Sequence, residues 1–182
     1  KAFYWYSKLA AQRDARGYYK LGVFNDMGFG RKTNDQEALR WYNKAIELGN
    51  SSAMTNLGSM YLDGTGVPQD DKKAFEWYLK AAEKGGSIAQ NMVGHLYTDG
   101  KGVPQDYSEA LKWYEAAANQ NNTEAQYNTG HAYLNGIGVK ADRPTALRWF
   151  QKAAEQGYAS AQAILGKSYL KGEDFPKNEE LG

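Results

Sequence analysis

The sequence contains no cysteine. Disulfides, thiolate metal sites and cysteine nucleophiles are therefore excluded, while the bacterial periplasm and the cytosol remain equally compatible. Charge of one sign is also lacking: 22 basic residues face 21 acidic ones, for a net charge of +1. No global field draws the chain to nucleic acid or to an anionic membrane, so neither partner is expected. No apolar run approaches the ~18–20 residues of a membrane span. Polar residues break the N-terminal KAFYWYSK at once, so it is not a signal peptide. The chain starts without Met and in the middle of a repeated unit, which reads as a fragment or a processed product. No segment alternates polar and apolar residues over any length, so no sheet is expected.

What the sequence does have is a period. Tyr61, Tyr97, Tyr133 and Tyr169 are spaced by 36 residues, and Trp5, Trp41, Trp77, Trp113 and Trp149, all the tryptophans, keep the same step. Self-similarity at fixed period means a repeat array. The alignment needs no gaps. It predicts a half unit over 1–14, full units over 15–50, 51–86, 87–122 and 123–158, a half unit over 159–172, and a tail or divergent cap over 173–182.

Each unit reads as two helices, A and B. In the unit 51–86, Ala53, Leu57, Gly58 and Tyr61 share one face of helix A. Gly58 costs about 1 kcal/mol of helix propensity, so its recurrence as Gly22, Gly94, Gly130 and Gly166 points to close packing. Asp63-Gly64 stops helix A, Val67 tucks back into the core, and Pro68 stiffens the connection. Asp70 stands where it can cap helix B, as do Asn34, Asp106 and Asp142; Glu37 and Glu109 add the capping-box pattern. In helix B, Ala74, Trp77, Tyr78, Ala81 and Ala82 form one stripe, and the tryptophans read as core residues. Gly49, Gly85 and Gly157 stop helix B, with Asn121 in the third unit, since Asn also tolerates the left-handed conformation. The expected fold is an all-α solenoid of antiparallel helix pairs.

These residues resemble the Sel-one-like repeat, a subclass of the tetratricopeptide superfamily. The family pattern is met by Ala53, Leu57, Gly58, Tyr61, Gly64, Gly66, Val67, Asp70, Ala74, Trp77, Tyr78, Lys80, Ala81, Ala82 and Gly85, and again by Ala89, Gly94, Tyr97, Gly100, Gly102, Asp106, Trp113 and Tyr114. The resemblance implies a right-handed superhelix that presents a concave surface to a protein or peptide, as a non-enzymatic adaptor. The first unit departs from the pattern, with Asn25 at the tyrosine position and Arg31-Lys32 in place of Val-Pro, so its loop is expected to be more open and more basic. Glu173 to Pro176 replaces the last Gly-x-Gly-Val loop.

If the shared stripe of helix A faces the B helices, the opposite stripe lines the groove. Steps of 36 residues then give columns of candidate partner-binding residues: Tyr19, Thr55, Asn91 and Tyr127; Ser59, His95, His131 and Lys167; and Asp63, Asp99, Asn135 and Lys171. Ring stacking on Tyr127 and amide hydrogen bonds from Asn91 and Asn128 would hold a peptide backbone. His95 and His131, the only histidines, occupy equivalent positions in adjacent units. Packed helix axes lie roughly 10 Å apart, so the pair reads as groove polar residues rather than a shared metal site. Asp63 and Asp99 each precede a helix-ending glycine and read as solvated rather than catalytic. No nucleophile elbow is present, and no strand precedes the Gly-x-Gly loops, so a phosphate-binding reading fails on context. No cofactor is expected. The runner-up reading is an assembly or regulatory module acting through its array ends. There the N-terminal rings Phe3, Tyr4, Trp5 and Tyr6 would support self-association or docking to another domain. A glycan or cell-wall binder or an enzyme is the minor alternative.

Overall fold

The computed structural model describes residues 1–29 and 32–170. They form ten helices: α1 Ala2–Ala11, α2 Ala15–Asp26, α3 Asp35–Glu47, α4 Ser51–Asp63, α5 Asp71–Glu83, α6 Ser87–Asp99, α7 Tyr107–Ala118, α8 Thr123–Asn135, α9 Arg143–Glu155 and α10 Ala159–Leu170. Among the described residues there is no strand. Two compact units can be distinguished, Lys1–Ala89 with Lys101–Val103, and Gln90–Gly100 with the stretch from Pro104 onward. Arg31 of the first connection, Lys171 and the stretch 173–182 lie outside the described residues.

Each helix boundary has a local chemical cause. Asn34, Asp70, Asp106 and Asp142 all take extended backbone and accept from N–H groups of the first turn of α3, α5, α7 and α9. Asn50 and Asn122 do the same for α4 and α8, a set of caps that the period alone did not single out. Glu37 and Glu109 complete only part of the capping-box expectation. Their N–H groups donate to the caps at 3.1 and 3.0 Å, while their carboxylates lie against Arg40 and Lys112 one turn on. The A-to-B connection closes with one repeated backbone bond. Asn34 N–H donates to Asn25 O, Asp70 to Tyr61, Asp106 to Tyr97 and Asp142 to Tyr133, at 2.8–3.0 Å. The first unit keeps this bond although Asn25 replaces the tyrosine; the Asn25 amide turns inward and donates to Leu21 O at 2.7 Å.

The chain leaves helix B in the left-handed region at Gly49, Gly85 and Gly157, with φ of 79°, 86° and 87°. Asn121 adopts φ 61° at the same position, as its tolerance for that region predicts, and Arg13 does so at 58°. For Arg13, which has neither glycine's freedom nor a short polar side chain, the conformation costs about 1–2 kcal/mol.

The cap carboxylates link these helices to pH. Asp70 is held below the usual carboxylate range by the Lys73 backbone N–H, and Asp142 by the Thr145 hydroxyl. The Arg16 side chain lowers Asp14 to about 2. In each case the folded value lies below the unfolded one. The stabilisation is therefore fully present above the unfolded value and is lost as pH falls through the folded one. Thermal melts should show little change from these groups near neutrality and a steep decline on the acid side of the ordinary aspartate value of about 4. The double variant Asp70→Asn, Asp142→Asn keeps both caps, because Asn caps as well as Asp. Its acid decline should be shallower at nearly unchanged neutral stability; an unchanged acid slope would remove the caps from the explanation.

The packing corrects the reading of the tryptophans as the core. In the first compact unit, Lys1–Ala89 with Lys101–Val103, a core cluster is formed by Ala38, Tyr42, Ala45, Ala53, Leu57 and Met60, with Val67 packed against it as expected. The ring that disappears is the residue after the tryptophan: Tyr42, Tyr78, Tyr114 and Phe150 are 0–6% exposed. Trp41, Trp77, Trp113 and Trp149 are half-buried, and Trp5 is 68% exposed. The cause is the glycine of helix A. A Cβ added at Gly22, Gly58, Gly94 or Gly130 would stand 2.4–3.0 Å from the ring of Tyr42, Tyr78, Tyr114 or Phe150. The ring lies flat in the space where a side chain would be. The tryptophan one position earlier is turned toward the edge of the pair, where a lysine covers it: Lys44, Lys80 and Lys152 stand 4.6, 4.3 and 4.6 Å from the ring centres of Trp41, Trp77 and Trp149.

Candidate functional site

Three of the four buried rings, Tyr42, Tyr78 and Tyr114, carry hydroxyls, and these reach the face of helix A that the B helices leave open. In the first unit Tyr42 donates to Asp26 Oδ2 and accepts from Asn56 Nδ2, both at 2.8 Å. The Tyr78 hydroxyl meets Ser59 Oγ at 2.7 Å. Burial raises both phenols above their ordinary value, so both stay protonated donors at neutral pH. Beside them opens a cleft of about 340 Å³. Its floor is the half-buried polar stripe of α4, Ser51, Thr55, Asn56 and Ser59, with the exposed Ser52. Tyr19 of α2 forms one wall, and Ser87 and Ile88 at the start of α6 form the other. Ile88 is 65% exposed and offers an apolar rim. Tyr19 leans on Tyr42 with ring centres 6.2 Å apart.

The chemistry of this cleft is narrow. Its lining among the described residues holds five hydroxyl or amide side chains on one helix and contains no carboxylate, imidazole or lysine. Part of that polarity is already engaged. Thr55 Oγ1 donates to Ser51 O within the helix, and Asn56 is committed to Tyr42. Such a surface can accept and donate hydrogen bonds to a peptide backbone or a polar side chain. It holds no acid–base pair with which to do covalent chemistry.

In the second compact unit, Gln90–Gly100 with the stretch from Pro104 onward, the same helical face is filled by its own side chains. Tyr114, raised to about 12 by burial, meets Thr98 Oγ1 and His95 Nδ1, each at 3.2 Å. Thr98 donates its proton to Gly94 O, which leaves the tyrosine as the donor in the Thr98 contact. His95 Nε2 lies 3.2 Å from Glu124 Oε1 and 3.3 Å from Asn128 Nδ2. One nitrogen cannot donate to a carboxylate and accept from an amide together, so Nε2 serves one neighbour at a time, according to the tautomer. Asn128 also donates to Asn91 Oδ1 at 3.2 Å.

The structure therefore separates the residues named from the sequence. Tyr19, Thr55 and Ser59 come together in the cleft. Asn91, expected to present its amide to a partner, is 3% exposed and held by Asn128. Tyr127, expected to be a free stacking platform, packs on Phe150 and Tyr158 with ring centres 5.6 and 5.0 Å apart. His95 is locked into the Tyr114–Glu124–Asn128 cluster, whereas His131, Asp63, Asp99, Asn135 and Lys167 are exposed. Lys171 lies outside the described residues. Among the described residues no three His, Asp or Glu side chains come together as a metal site, and no helix is long and apolar enough to cross a membrane. Asn56 and Ile88 were missed. Asn56 could have been found through its counterpart Asn128, two steps of 36 residues away at the edge of the same face.

Comparison with known proteins places this geometry in a family. Comparison with curated proteins gives no match. Solved structures do match. The chain is 36% identical to c5321, described as a protective antigen present in uropathogenic Escherichia coli strains and displaying an SLR fold. That match has a TM-score of 0.88 and covers 97% of this chain and 38% of that one. A Sel1 repeat protein from Oxalobacter formigenes is 37% identical over 91% of this chain and 68% of its own, with a TM-score of 0.85. The immunity protein Pa5087 from Pseudomonas aeruginosa is 26% identical over 86% of this chain and 58% of its own, with a TM-score of 0.61. This chain thus spans well under half of the c5321 chain. The family model for the Sel1 repeat matches residues 1–14, 15–50, 51–86, 87–122, 123–158 and 159–182, and the chain belongs to the Sel1 repeat family.

Proposed function

We propose that the chain is a non-catalytic interaction scaffold that holds an extended segment of a protein partner against the open face of its A helices, with the first unit's cleft as the seat. Sel1 repeat proteins generally mediate protein–protein interactions and are generally non-catalytic. The observation that carries the finer reading is the composition of the cleft. Hydroxyls and an amide line its floor, an aromatic ring one wall and an isoleucine the rim, with no charged group among them. Such a lining suits an uncharged, extended peptide whose backbone meets the α4 stripe and whose apolar side chain rests on Ile88 and Tyr19. The immunity protein among the similar structures shows that the fold serves specialised roles in other chains.

The test is a peptide-display selection against the wild-type chain, with the selected peptides re-measured on Thr55→Arg. The arginine fills the cleft and lets its charged end reach water, so helicity and melting should stay near wild type. Binding is expected to fall at least tenfold. Peptides that bind both proteins equally would place the partner elsewhere on the molecule.

A further inference from the structure

The lining of the cleft is uncharged, but one end of the cleft is not. Ser59 is the last floor residue of α4, and Asp63 stands one turn further along the same face, exposed. Ser59 meets the Tyr78 hydroxyl at 2.7 Å. Burial raises that phenol and the Asp63 charge raises it further, so the carboxylate lies close behind the floor. A second carboxylate reaches the same end through floor and wall together. Asp26 accepts from the Tyr42 hydroxyl at 2.8 Å, and that hydroxyl takes the floor amide of Asn56 at 2.8 Å. Tyr19 of the wall is raised by burial and then by the Asp26 charge. All of these residues belong to the first compact unit.

Three observations make this end a seat for a cation. Asp26 and Asp63 are the last residues of α2 and α4, and neither helix has a basic residue in its last turn. The helix dipole is negative there, so a cation is the stabilising neighbour and a carboxylate the unfavourable one. The two side chains thus add to a negative end instead of opposing it. Among the described residues, moreover, neither carboxylate has a Lys, Arg or His within ion-pair distance. Lys20 shows what the wall accepts: its ammonium rests 5.3 Å from the Tyr19 ring centre. It makes no ion pair with Asp26, so the wall holds a cation on its ring while the carboxylate beside it stays open.

We propose that the uncharged peptide segment seated in the cleft is flanked, beyond its Ser59 end, by a lysine or arginine that Asp63 holds, with Asp26 adding its charge at the wall. This rests on the cleft reading and supplies the charge of the partner. An extended segment rises ~3.3 Å per residue and a helical turn ~5.4 Å. For a segment running along α4 the basic residue therefore falls about two positions past the one that lies over Ser59.

The test is a double-mutant cycle on peptides from the display selection. Peptides selected on the wild type should carry an excess of Lys and Arg at one position. Asp63→Asn leaves the fold intact, since Asn135 holds the same place before the helix-ending Gly136 of α8. Affinity for the selected peptides should fall about fivefold on Asp63→Asn, the upper range for an ion pair at an exposed carboxylate. Replacing the peptide's basic residue with glutamine should cost the same on the wild type and nothing further on Asp63→Asn. Raising the salt should shrink both losses. A selected pool with no excess of basic residues would overturn the proposal, and so would a glutamine peptide that loses as much on Asp63→Asn as on the wild type. Thr55→Arg separates this failure from failure of the cleft itself. Peptides weakened by Thr55→Arg but not by Asp63→Asn keep the seat and sink the charge assignment. Peptides indifferent to Thr55→Arg, or a selection that returns no binder, sink both.

Discussion

Replacing Tyr42 with alanine should destabilise the first unit by about 3–5 kcal/mol, the range for removing a large, fully buried ring. Tyr42 is 0% exposed. Its ring fills the space over Gly22, where a Cβ would stand 2.4 Å from the nearest ring atom. Its hydroxyl joins Asp26 to Asn56. Alanine leaves a ring-sized void and separates those two side chains. Trp41→Ala removes a larger side chain but should cost less, because Trp41 is half-buried and gives up only part of its surface to water. Tyr42→Phe isolates the hydroxyl. Asp26 and Asn56 lose a common partner, at about 1–2 kcal/mol. The chain carries its own version of that change. Phe150 takes the tyrosine position in the fourth unit, and Ile164, at the position of Asn56 and Asn128, packs against the Phe150 cluster. Tyr78 keeps its hydroxyl opposite Met92, and there the hydroxyl meets Ser59 instead of an amide. Urea unfolding of the three variants checks the order Tyr42→Ala, then Trp41→Ala, then Tyr42→Phe. A tryptophan variant costing more than the tyrosine variant would contradict the packing described above.

Gly102→Ala is the second large effect. Gly102 has φ of 70°, and a Cβ there would stand 2.1 Å from the backbone oxygen of Asp71 at the start of α5. That neighbour is main chain and cannot rotate away. The left-handed conformation costs about 1–2 kcal/mol for a residue with a Cβ, and overpacking adds about 1–3. Gly85→Ala is the control. Gly85 has a φ of 86° but nothing within 4 Å of its Cβ position, so only the conformational cost of about 1–2 kcal/mol applies. The difference between the two variants in urea unfolding isolates the close approach of loop to helix. Equal losses would mean that the loop moves aside and that Gly102 matters for conformation alone.

Much of this architecture was legible because it depends on local chemistry that repeats. Caps, glycine stops and the A and B stripes each need only a residue type at a spacing, and the period of 36 residues checks every one of them several times. Asn121 could be assigned its left-handed conformation from its place in the period, before any coordinates. The tryptophans were misread because adjacent rings on one helix, Trp41 and Tyr42, occupy neighbouring angles. Which of them turns fully inward depends on where the partner helix comes closest. That point is marked by Gly22, in another helix, so a stripe drawn on helix B alone cannot show it.

The candidate site was legible as a face and not as individual contacts. Thr55 and Asn91 share a column, yet Thr55 lines an open cleft while Asn91 is covered and bonded to Asn128. The difference arises from what fills the neighbouring columns. Ser59 is short and meets the Tyr78 hydroxyl directly. His95, at the same position in the next unit, is long enough to reach Tyr114, Glu124 and Asn128 and closes the face over. Tyr127 likewise has Phe150 and Tyr158 within ring-stacking distance. A column of types at a fixed step predicts which residues share a direction; side-chain length in adjacent columns decides which of them stay accessible.

The central claim is that partner recognition belongs to the open face of the A helices and stability to the ring-on-glycine contacts, so that the two can be altered separately. Two-dimensional nitrogen–proton NMR of the labelled chain, titrated with a peptide from the display selection, tests this most directly. Tryptophan indole N–H signals report on the B helices, and the side-chain amide of Asn56 reports on the cleft floor. The account predicts that the Asn56 amide and the backbone signals of Thr55, Ser59 and Ile88 move with added peptide, while the indole signals of Trp41 and Trp77 stay in place. Movement of those indoles with no change at Asn56 would put the partner on the B helices and contradict it.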